Sequence, residues 1–203
     1  MKALILIDLS NDFCPGGMVE VPEGNQVVEV ANRLMDAFEL VVSVRDWHPA
    51  GHLSFAANHL WRRPGQEIEL QGQTQLLWPM HCVQNSFGAE LAMRLRQEKI
   101  TRHFFKGTDP EADSYSAFFD NQKKNDTGLA TFLHENGVED VYLMGLPCEF
   151  GVRYSALDAL ALGFRTWVVA DGCRAIEENE PVFEEIRGQG GKVILSEELL
   201  QAR

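Results

Sequence analysis

One carboxylate and two imidazoles have the residue types and the spacing of a metal site. Asp46 and His48 lie two positions apart, so on an extended segment their side chains point to the same side. His81 follows in the same irregular region, where His52 and His59 are further donors. This donor set suits Zn²⁺, Fe²⁺ or Mn²⁺ with coordination positions left for water. The alternative is that these histidines are ordinary surface loop residues.

Two more residues can do acid and base chemistry, because each ends an apolar strand pattern. Asp8 follows the run Ala-Leu-Ile-Leu-Ile, where it is either a turn cap or a cleft carboxylate that exchanges protons with a substrate. Lys106 follows Thr-Arg-His-Phe-Phe, where it is either a solvated strand end or a buried cation beside a carboxylate. Spacing alone leaves both alternatives open.

A third candidate is the turn that reads Gly-Leu-Pro-Cys-Glu-Phe-Gly-Val at 145–152. It lies between a strand pattern and a helix pattern, which is where α/β proteins point backbone N–H groups at a ligand and often hold a nucleophile. Its thiol is Cys148. A thiol near a helix N-terminus and a lysine has a lowered pKa and can attack a carbonyl. The alternative is that Cys148 is a small buried side chain.

The elements that must position these residues alternate along the chain. Such alternation predicts a single doubly wound α/β domain over 1–203, with about six mostly parallel strands and helices on both faces. Ligands of such sheets bind beyond the carboxyl ends of the strands, so the polar residues at those ends are expected to converge. The predicted strands are 3–7, 40–44, 101–105, 138–144, 166–170 and 193–195, and the predicted helices are 26–37, 89–98, 128–136, 152–162 and 181–188.

Composition narrows the partners. The net charge of −12 argues against nucleic acid and anionic membrane surfaces, which require clustered Lys and Arg. No apolar run reaches the ~20 residues of a membrane-spanning helix, and Met1-Lys2 leads directly into a strand pattern without a signal peptide. The four cysteines have no paired C-x-x-C spacing. We therefore expect a cytoplasmic protein with reduced thiols and a small-molecule partner.

Several short motifs then follow one another in a recognisable order. The motifs are Asp8 with Asn11-Asp12-Phe13-Cys14, Asp46-Trp47-His48-Pro49, Trp78-Pro79-Met80-His81-Cys82, Lys106-Gly107, Ser114-Tyr115-Ser116-Ala117-Phe118 and Asp171-Gly172-Cys173-Arg174. As an ordered set they resemble the bacterial nicotinamidases (pyrazinamidases) of the isochorismatase-like hydrolase family. The resemblance covers essentially the whole chain.

The resemblance implies an Asp-Lys-Cys triad and a metal-dependent amide hydrolysis. Asp8 fits the acid and base of that triad, and Lys106 fits its lysine. The implied chemistry is thiolate attack on nicotinamide, release of ammonia and hydrolysis of the thioester to nicotinate, a step of NAD salvage.

The implied metal ligands are Asp46, His48 and His81, with His52 as a fourth in some members. The implied aromatic walls of the substrate pocket are Phe13, Trp78 and Tyr115. Family members occur as monomers and as homo-oligomers.

The turn departs from the family, in which it usually reads Gly-Leu-Ala-Thr-Asp-Tyr-Cys-Val. Aligned without a gap, Gly151 stands at the nucleophile and Pro147 stands at a residue whose N–H is an expected oxyanion donor. Proline has no N–H, and losing one such donor typically costs ~10²–10³ in rate.

Three hypotheses follow from this departure. The chain is a nicotinamidase-like amidohydrolase in which Cys148 replaces the nucleophile, although a shift of three residues far exceeds the ~1 Å that attack geometry tolerates. It is a thiol-independent hydrolase of the isochorismatase type that uses Asp8. Or it is an inactive relative that binds a pyridine ligand. We predict a nicotinamidase-like amidohydrolase with reduced or altered activity.

Overall fold

A six-stranded parallel sheet organises the computed structural model, which describes residues 1–70 and 72–201. The strands are β1 (Lys2–Ile7), β2 (Leu40–Asp46), β3 (Glu67–Leu70), β4 (Gln73–Leu76), β5 (Arg102–Lys106), β6 (Asp140–Gly145), β7 (Arg165–Cys173) and β8 (Lys192–Ile194). The order in the sheet is β5-β2-β1-β6-β7-β8, and a separate antiparallel hairpin is formed by β3 and β4. The helices are α1 (Gly24–Leu34), α2 (Leu129–Glu135), α3 (Arg153–Ala161), α4 (Glu180–Gly188) and α5 (Ser196–Gln201).

The central strand β1 shows that both faces of the sheet are covered. Successive side chains of a strand point to opposite faces, and every residue from Ala3 to Ile7 is fully buried. Such a strand must therefore be apolar throughout, as its sequence Ala-Leu-Ile-Leu-Ile is. The amphipathic helix α1 contributes a stripe of buried residues at Val27, Ala31 and Leu34.

The order of the strands reverses between β1 and β6. The chain runs from β1 to β2 and β5 on one side, then returns to β6 on the other side of β1. In an open parallel sheet such a reversal opens a crevice beyond the carboxyl ends of the two strands. The predicted doubly wound fold with six parallel strands is confirmed.

The helix predicted at 89–98 was wrong. This segment is mostly irregular, with 3₁₀ turns at Phe87–Ala89 and Gln97–Lys99. Four of its apolar residues, Ala89, Leu91, Ala92 and Leu95, are buried, and Met93 is exposed. The backbone is bonded to the segment after β1, since Ala92 N–H donates to Leu9 O and Leu91 bridges Ser10. Tertiary hydrogen bonds thus replace the helical ones that the apolar spacing suggested.

Two further elements were not predicted. The β3–β4 hairpin lies in the stretch that the sequence suggested to be irregular, and its outer strand Gln73–Leu76 is too polar to show alternation. The short helix α5 ends the described chain.

Within residues 1–70 and 72–201, no helix combines the length and the apolar character needed to cross a bilayer.

Gly145, the last residue of β6, allows a stability test. Its φ is +147°, and a Cβ there would lie 1.9 Å from the backbone oxygen of Ile7. We expect Gly145→Ala to lower the free energy of unfolding by about 2–4 kcal/mol, because both the conformation and the strand contact exclude a side chain. Urea denaturation measures this change.

Gly188→Ala is the matched control, because a Cβ at Gly188 meets nothing within 4 Å. This residue ends α4, so alanine should leave stability unchanged or raise it by up to ~1 kcal/mol. Equal stability of the two variants would contradict the role assigned to Gly145.

Candidate active site

The candidate site is a pocket where four parallel strands end. Asp8 follows β1, Asp46 ends β2, Lys106 ends β5, and the turn at 146–151 follows β6. The empty space of the pocket, counted to its open mouth, is about 340 Å³. The described residues that line it are Asp8, Phe13, Asp46, Trp78, His81, Lys106, Asp113, Ser114, Tyr115, Pro147, Phe150 and Gly151.

Lys106 is a buried cation held between two carboxylates. Its Nζ lies 2.9 Å from Asp8 Oδ2, donates a short hydrogen bond to Asp46 Oδ1, and donates to Ser114 O at 3.1 Å. Burial lowers the pKa of Lys106, but Asp46 and Asp8 outweigh burial and raise that pKa above its ordinary value. Lys106 is therefore charged, and the solvated strand end is excluded.

Asp8 is buried and oriented by the backbone of β2. Its Oδ1 accepts a hydrogen bond from Asp46 N–H at 2.8 Å. Its φ of +52° is a left-handed conformation that aspartate tolerates and that is typical of functional sites. Burial, and then the charge of Asp46, raise the pKa of Asp8 to about 7 against the opposing effect of Lys106. Such a carboxyl can both accept and donate a proton near neutral pH.

One oxygen of Asp8 remains available for chemistry. Asp8 Oδ2 is ion-paired with Lys106 Nζ at 2.9 Å and has no other polar partner within the described part of the chain. Because Asp8 lines the pocket, this oxygen is the candidate proton acceptor.

The predicted metal ligands lie together at the pocket, and Asp46 and His81 line it. His48 Nε2 is 3.9 Å from Asp46 Oδ1, and His81 Nε2 is 3.6 Å from Asp46 Oδ2. One ligand atom from each of these three residues lies within 4.8 Å of the others. The carboxylate is ionised because Lys106 and the histidines, acting against burial, lower the pKa of Asp46.

The tautomers of both histidines suit a metal ion. His48 Nδ1 donates to His81 O at 3.2 Å, and His81 Nδ1 donates to Pro79 O at 2.8 Å. A carbonyl only accepts, so each ring carries a proton on Nδ1 and turns Nε2 towards Asp46. Burial lowers the pKa of His81, but the hydrogen bond and the charge of Asp46 outweigh burial and raise that pKa above its ordinary value. Burial lowers the pKa of His48 to about 4, which keeps the ring neutral. His48 Nε2 is also buried without a partner among the described residues, and this unsatisfied acceptor fits a divalent cation.

His52, the fourth ligand suggested by resemblance, is oriented differently. Its Nδ1 accepts from Ser54 N–H at 3.2 Å, so Nε2 carries the proton and points to Ala112 O at 3.4 Å. Asp113, which the sequence analysis missed, forms a second candidate group with His48 and His52, in which the ligand atoms all lie within 4.8 Å of one another. Its Oδ1 is 3.9 Å from His48 Nε2, the same distance as Asp46 Oδ1. The only sequence signal for Asp113 is its place directly before Ser114-Tyr115.

Aromatic rings form the walls of the pocket. The predicted residues Phe13, Trp78 and Tyr115 all line it, and Phe150 is an addition from the turn. The Phe150 ring lies 4.9 Å from Trp78 and 5.3 Å from Tyr115, centroid to centroid. Phe13 packs edge-on against His81 at 5.6 Å. A flat apolar ring with a polar substituent suits such walls.

The turn brings Gly151 and Pro147 into the pocket and leaves Cys148 outside. A Cβ built on Gly151 would lie 3.0 Å from Asp8 Oδ2, so position 151 is the one whose side chain would reach the acid. Cys148 is fully buried, its N–H donates to Arg174 O, and it is absent from the described lining. A hydrogen bond with Cys173, together with burial, raises the pKa of the Cys148 thiol well above its ordinary value. Neither the position of Cys148 nor the protonation of its thiol supports the hypothesis that Cys148 replaces the nucleophile.

Comparison with known proteins agrees with this geometry. The model of the isochorismatase domain matches residues 2–198. An Escherichia coli nicotinamidase is 44% identical over 197 residues, which cover 93% of this chain and 92% of that protein. An Acinetobacter baumanii nicotinamidase/pyrazinamidase structure superposes with a TM-score of 0.94 at 38% identity, covering 98% and 97% of the two chains.

A further structure, the zinc complex of a Pyrococcus horikoshii pyrazinamidase, has a TM-score of 0.78 at 35% identity, covering 96% of this chain and 98% of that one. Sequence and structure thus agree over nearly the full length of each protein. The chain belongs to the isochorismatase family, among its nicotinamidases and pyrazinamidases.

Proposed function

We propose that this chain is a metal-assisted amidohydrolase that converts nicotinamide to nicotinate and ammonia. The observation that carries the proposal is the meeting, in one pocket, of the Asp8–Lys106 pair with the Asp46–His48–His81 donor set between aromatic walls. The relatives named nicotinamidases and pyrazinamidases support the choice of an amide on a flat heteroaromatic ring.

The binding half of the pocket holds the ring. Phe13, Trp78, Tyr115 and Phe150 contact its faces and edges. Asp46, His48 and His81 would hold one divalent ion, and zinc is favoured by the Pyrococcus horikoshii complex over iron or manganese. When bound, that ion would supply a Lewis acid for the pyridine nitrogen of the ring.

The reacting half of the pocket moves protons at Asp8 Oδ2. We assign this oxygen as the base that takes a proton from an attacking water and returns it to the amide nitrogen, so that one water and one amide give a carboxylic acid and ammonia. Lys106 stabilises the negative charge that develops beside Asp8. Water is assigned as the nucleophile because no thiol stands among the described lining residues.

One observation favours a second candidate function, a protein that binds a pyridine ligand without turning it over. Gly151 and Pro147 remove a thiol and an N–H donor, while the aromatic walls and the donor set are retained. An isochorismatase-type reaction, in which Asp8 protonates a vinyl ether, is less favoured because the retained donor set has no task in it.

The setting is proposed from the sequence. The chain acts as one domain in the cytoplasm, in NAD salvage, on a small-molecule amide rather than on nucleic acid or a membrane. Its net charge of −12 supports this choice of partner. A homo-oligomer is expected from the resemblance alone.

Metal binding can be tested apart from activity. We expect the chelator-stripped protein to bind one Zn²⁺ per chain by isothermal titration calorimetry, and His48→Ala to weaken this affinity at least ~100-fold because it removes a ligand. His134→Ala, on α2 and stacked on Phe164, is the control and should bind normally. Equal affinity of the two variants would exclude the donor set.

Ammonia release from nicotinamide tests the assignment of the base. We expect Asp8→Asn to lower kcat by ~10²–10⁴, because asparagine cannot accept the proton. Cys148→Ala should keep kcat within a few-fold, because the thiol is outside the pocket.

The outcomes separate the candidates. A folded Cys148→Ala protein that binds nicotinamide but has lost turnover would restore Cys148 as the nucleophile. A wild-type protein that binds nicotinamide without releasing ammonia would support the second candidate.

The double substitution Gly151→Cys with Pro147→Ala tests the effect of the turn. We expect ammonia release to rise at least ~10-fold, because a thiol would stand beside Asp8 Oδ2 and an N–H donor would return. A Cβ at 151 would also lie 2.9 Å from Ile7 Cγ2 and 3.1 Å from Leu146 O, so the turn must shift slightly.

Gly151→Ala with Pro147→Ala is the matched control, since it carries the same Cβ without the thiol. Its activity should stay at or below that of the wild type. A gain of equal size in both double variants would show that the thiol is not the cause.

A further inference from the structure

Ser155, a fully buried residue of α3, uses both hydrogen-bonding functions of its hydroxyl. Its Oγ donates to Gly151 O at 2.6 Å and accepts from Ala117 N–H at 2.7 Å. The first bond is the common contact of a helical serine with the carbonyl four residues earlier. The second reaches a segment 38 positions away, and it makes Ser155 a bridge between two parts of the chain.

The bridge joins two loop segments that both line the pocket. The turn after β6 supplies Phe150 and Gly151, and the segment after β5 supplies Ser114 and Tyr115. The rings of Tyr115 and Phe150 lie 5.3 Å apart, centroid to centroid. Ser155 therefore ties the separation of these two walls to one hydroxyl group.

The same bridge reaches the acid–base pair from both sides. On one side, the Cβ direction of Gly151 points at Asp8 Oδ2. On the other, Ser114 O accepts a hydrogen bond from Lys106 Nζ at 3.1 Å. A change in the spacing of the two segments therefore changes where a ring held by the walls lies relative to Asp8 and Lys106.

We propose that Ser155 is a positioning residue that sets the alignment of the substrate ring with Asp8, through its bridge between Gly151 O and Ala117 N–H. This inference rests on the proposed amidohydrolase function. A small displacement of the ring would lower the rate strongly, since misplacing reacting groups by ~1 Å can lower the rate ~100-fold.

The first test is the kinetics of Ser155→Ala. We expect kcat for nicotinamide to fall ~10–100-fold and KM to rise, because both walls lose their common anchor. The affinity for Zn²⁺, measured by calorimetry, should remain unchanged, because Asp46, His48 and His81 are not part of the bridge. Partial unfolding of the variant would instead lower kcat and the affinity for Zn²⁺ together.

Ser43→Ala is the matched control. Ser43 is a buried serine of β2 whose Oγ is hydrogen-bonded to His103 Nδ1 at 2.7 Å, and it does not line the pocket. The Ser43→Ala substitution should destabilise the protein about as much as Ser155→Ala, as measured by thermal unfolding. It should leave kcat and KM as in the wild type. Ser155→Thr keeps the hydroxyl and should recover most of the wild-type kcat.

Three results would overturn the proposal: wild-type kinetics in Ser155→Ala, an equal loss in Ser43→Ala, or a folded Ser155→Thr protein as slow as Ser155→Ala. If Ser155→Thr does not fold, the comparison of the two alanine variants decides. If the wild type releases no ammonia, the proposed function fails, and the affinity for nicotinamide of Ser155→Ala against Ser43→Ala still tests the bridge. A wild type that neither binds nor hydrolyses nicotinamide overturns both.

Discussion

The structure of this site depends on one buried cation. Lys106 lies between Asp8 and Asp46, and removing one member of such a group leaves an uncompensated buried charge at a cost of about 3–5 kcal/mol. The sheet provides the arrangement, because Asp46 and Lys106 are register partners at the ends of neighbouring strands. Asp46 also faces His81, so one carboxylate contacts both Lys106 of the acid–base pair and the histidines of the candidate metal site. A displacement of Asp46 would therefore disturb both the acid–base pair and the candidate metal site.

Much of this arrangement could be predicted from the sequence, because a buried parallel strand is an apolar run and the polar residue that ends it stands out. Asp8, Asp46 and Lys106 are such residues, and a parallel sheet brings them to one edge. The contributions of Asp113 and Phe150 could not be predicted in this way. They lie in irregular segments, where side-chain direction depends on tertiary contacts rather than on a repeating pattern.

The wrong helix prediction has the same origin. The apolar spacing at 89–98 is real, but the backbone of that segment bonds to Leu9 and Asn11 after β1 as well as locally, and it forms no continuous helical ladder. Cys148 is only three positions from Gly151, yet the turn directs one towards Cys173 and the other towards Asp8. The turn thus departs from the family pattern that the resemblance gives, whereas the aromatic walls and the candidate metal ligands match it.

The order of the strands also bears on how the protein is made. The central strand β1 is synthesised first, but its partner β6 pairs Lys2 with Asp140, so more than half of the chain lies between them. Contacts so distant in sequence form late and slowly. Because the pocket lies beyond the carboxyl ends of these two strands and of β2 and β5, a nascent chain on the ribosome cannot assemble it until β6 has emerged. Any shorter fragment would leave the apolar edge of β1 exposed to chaperones and to aggregation.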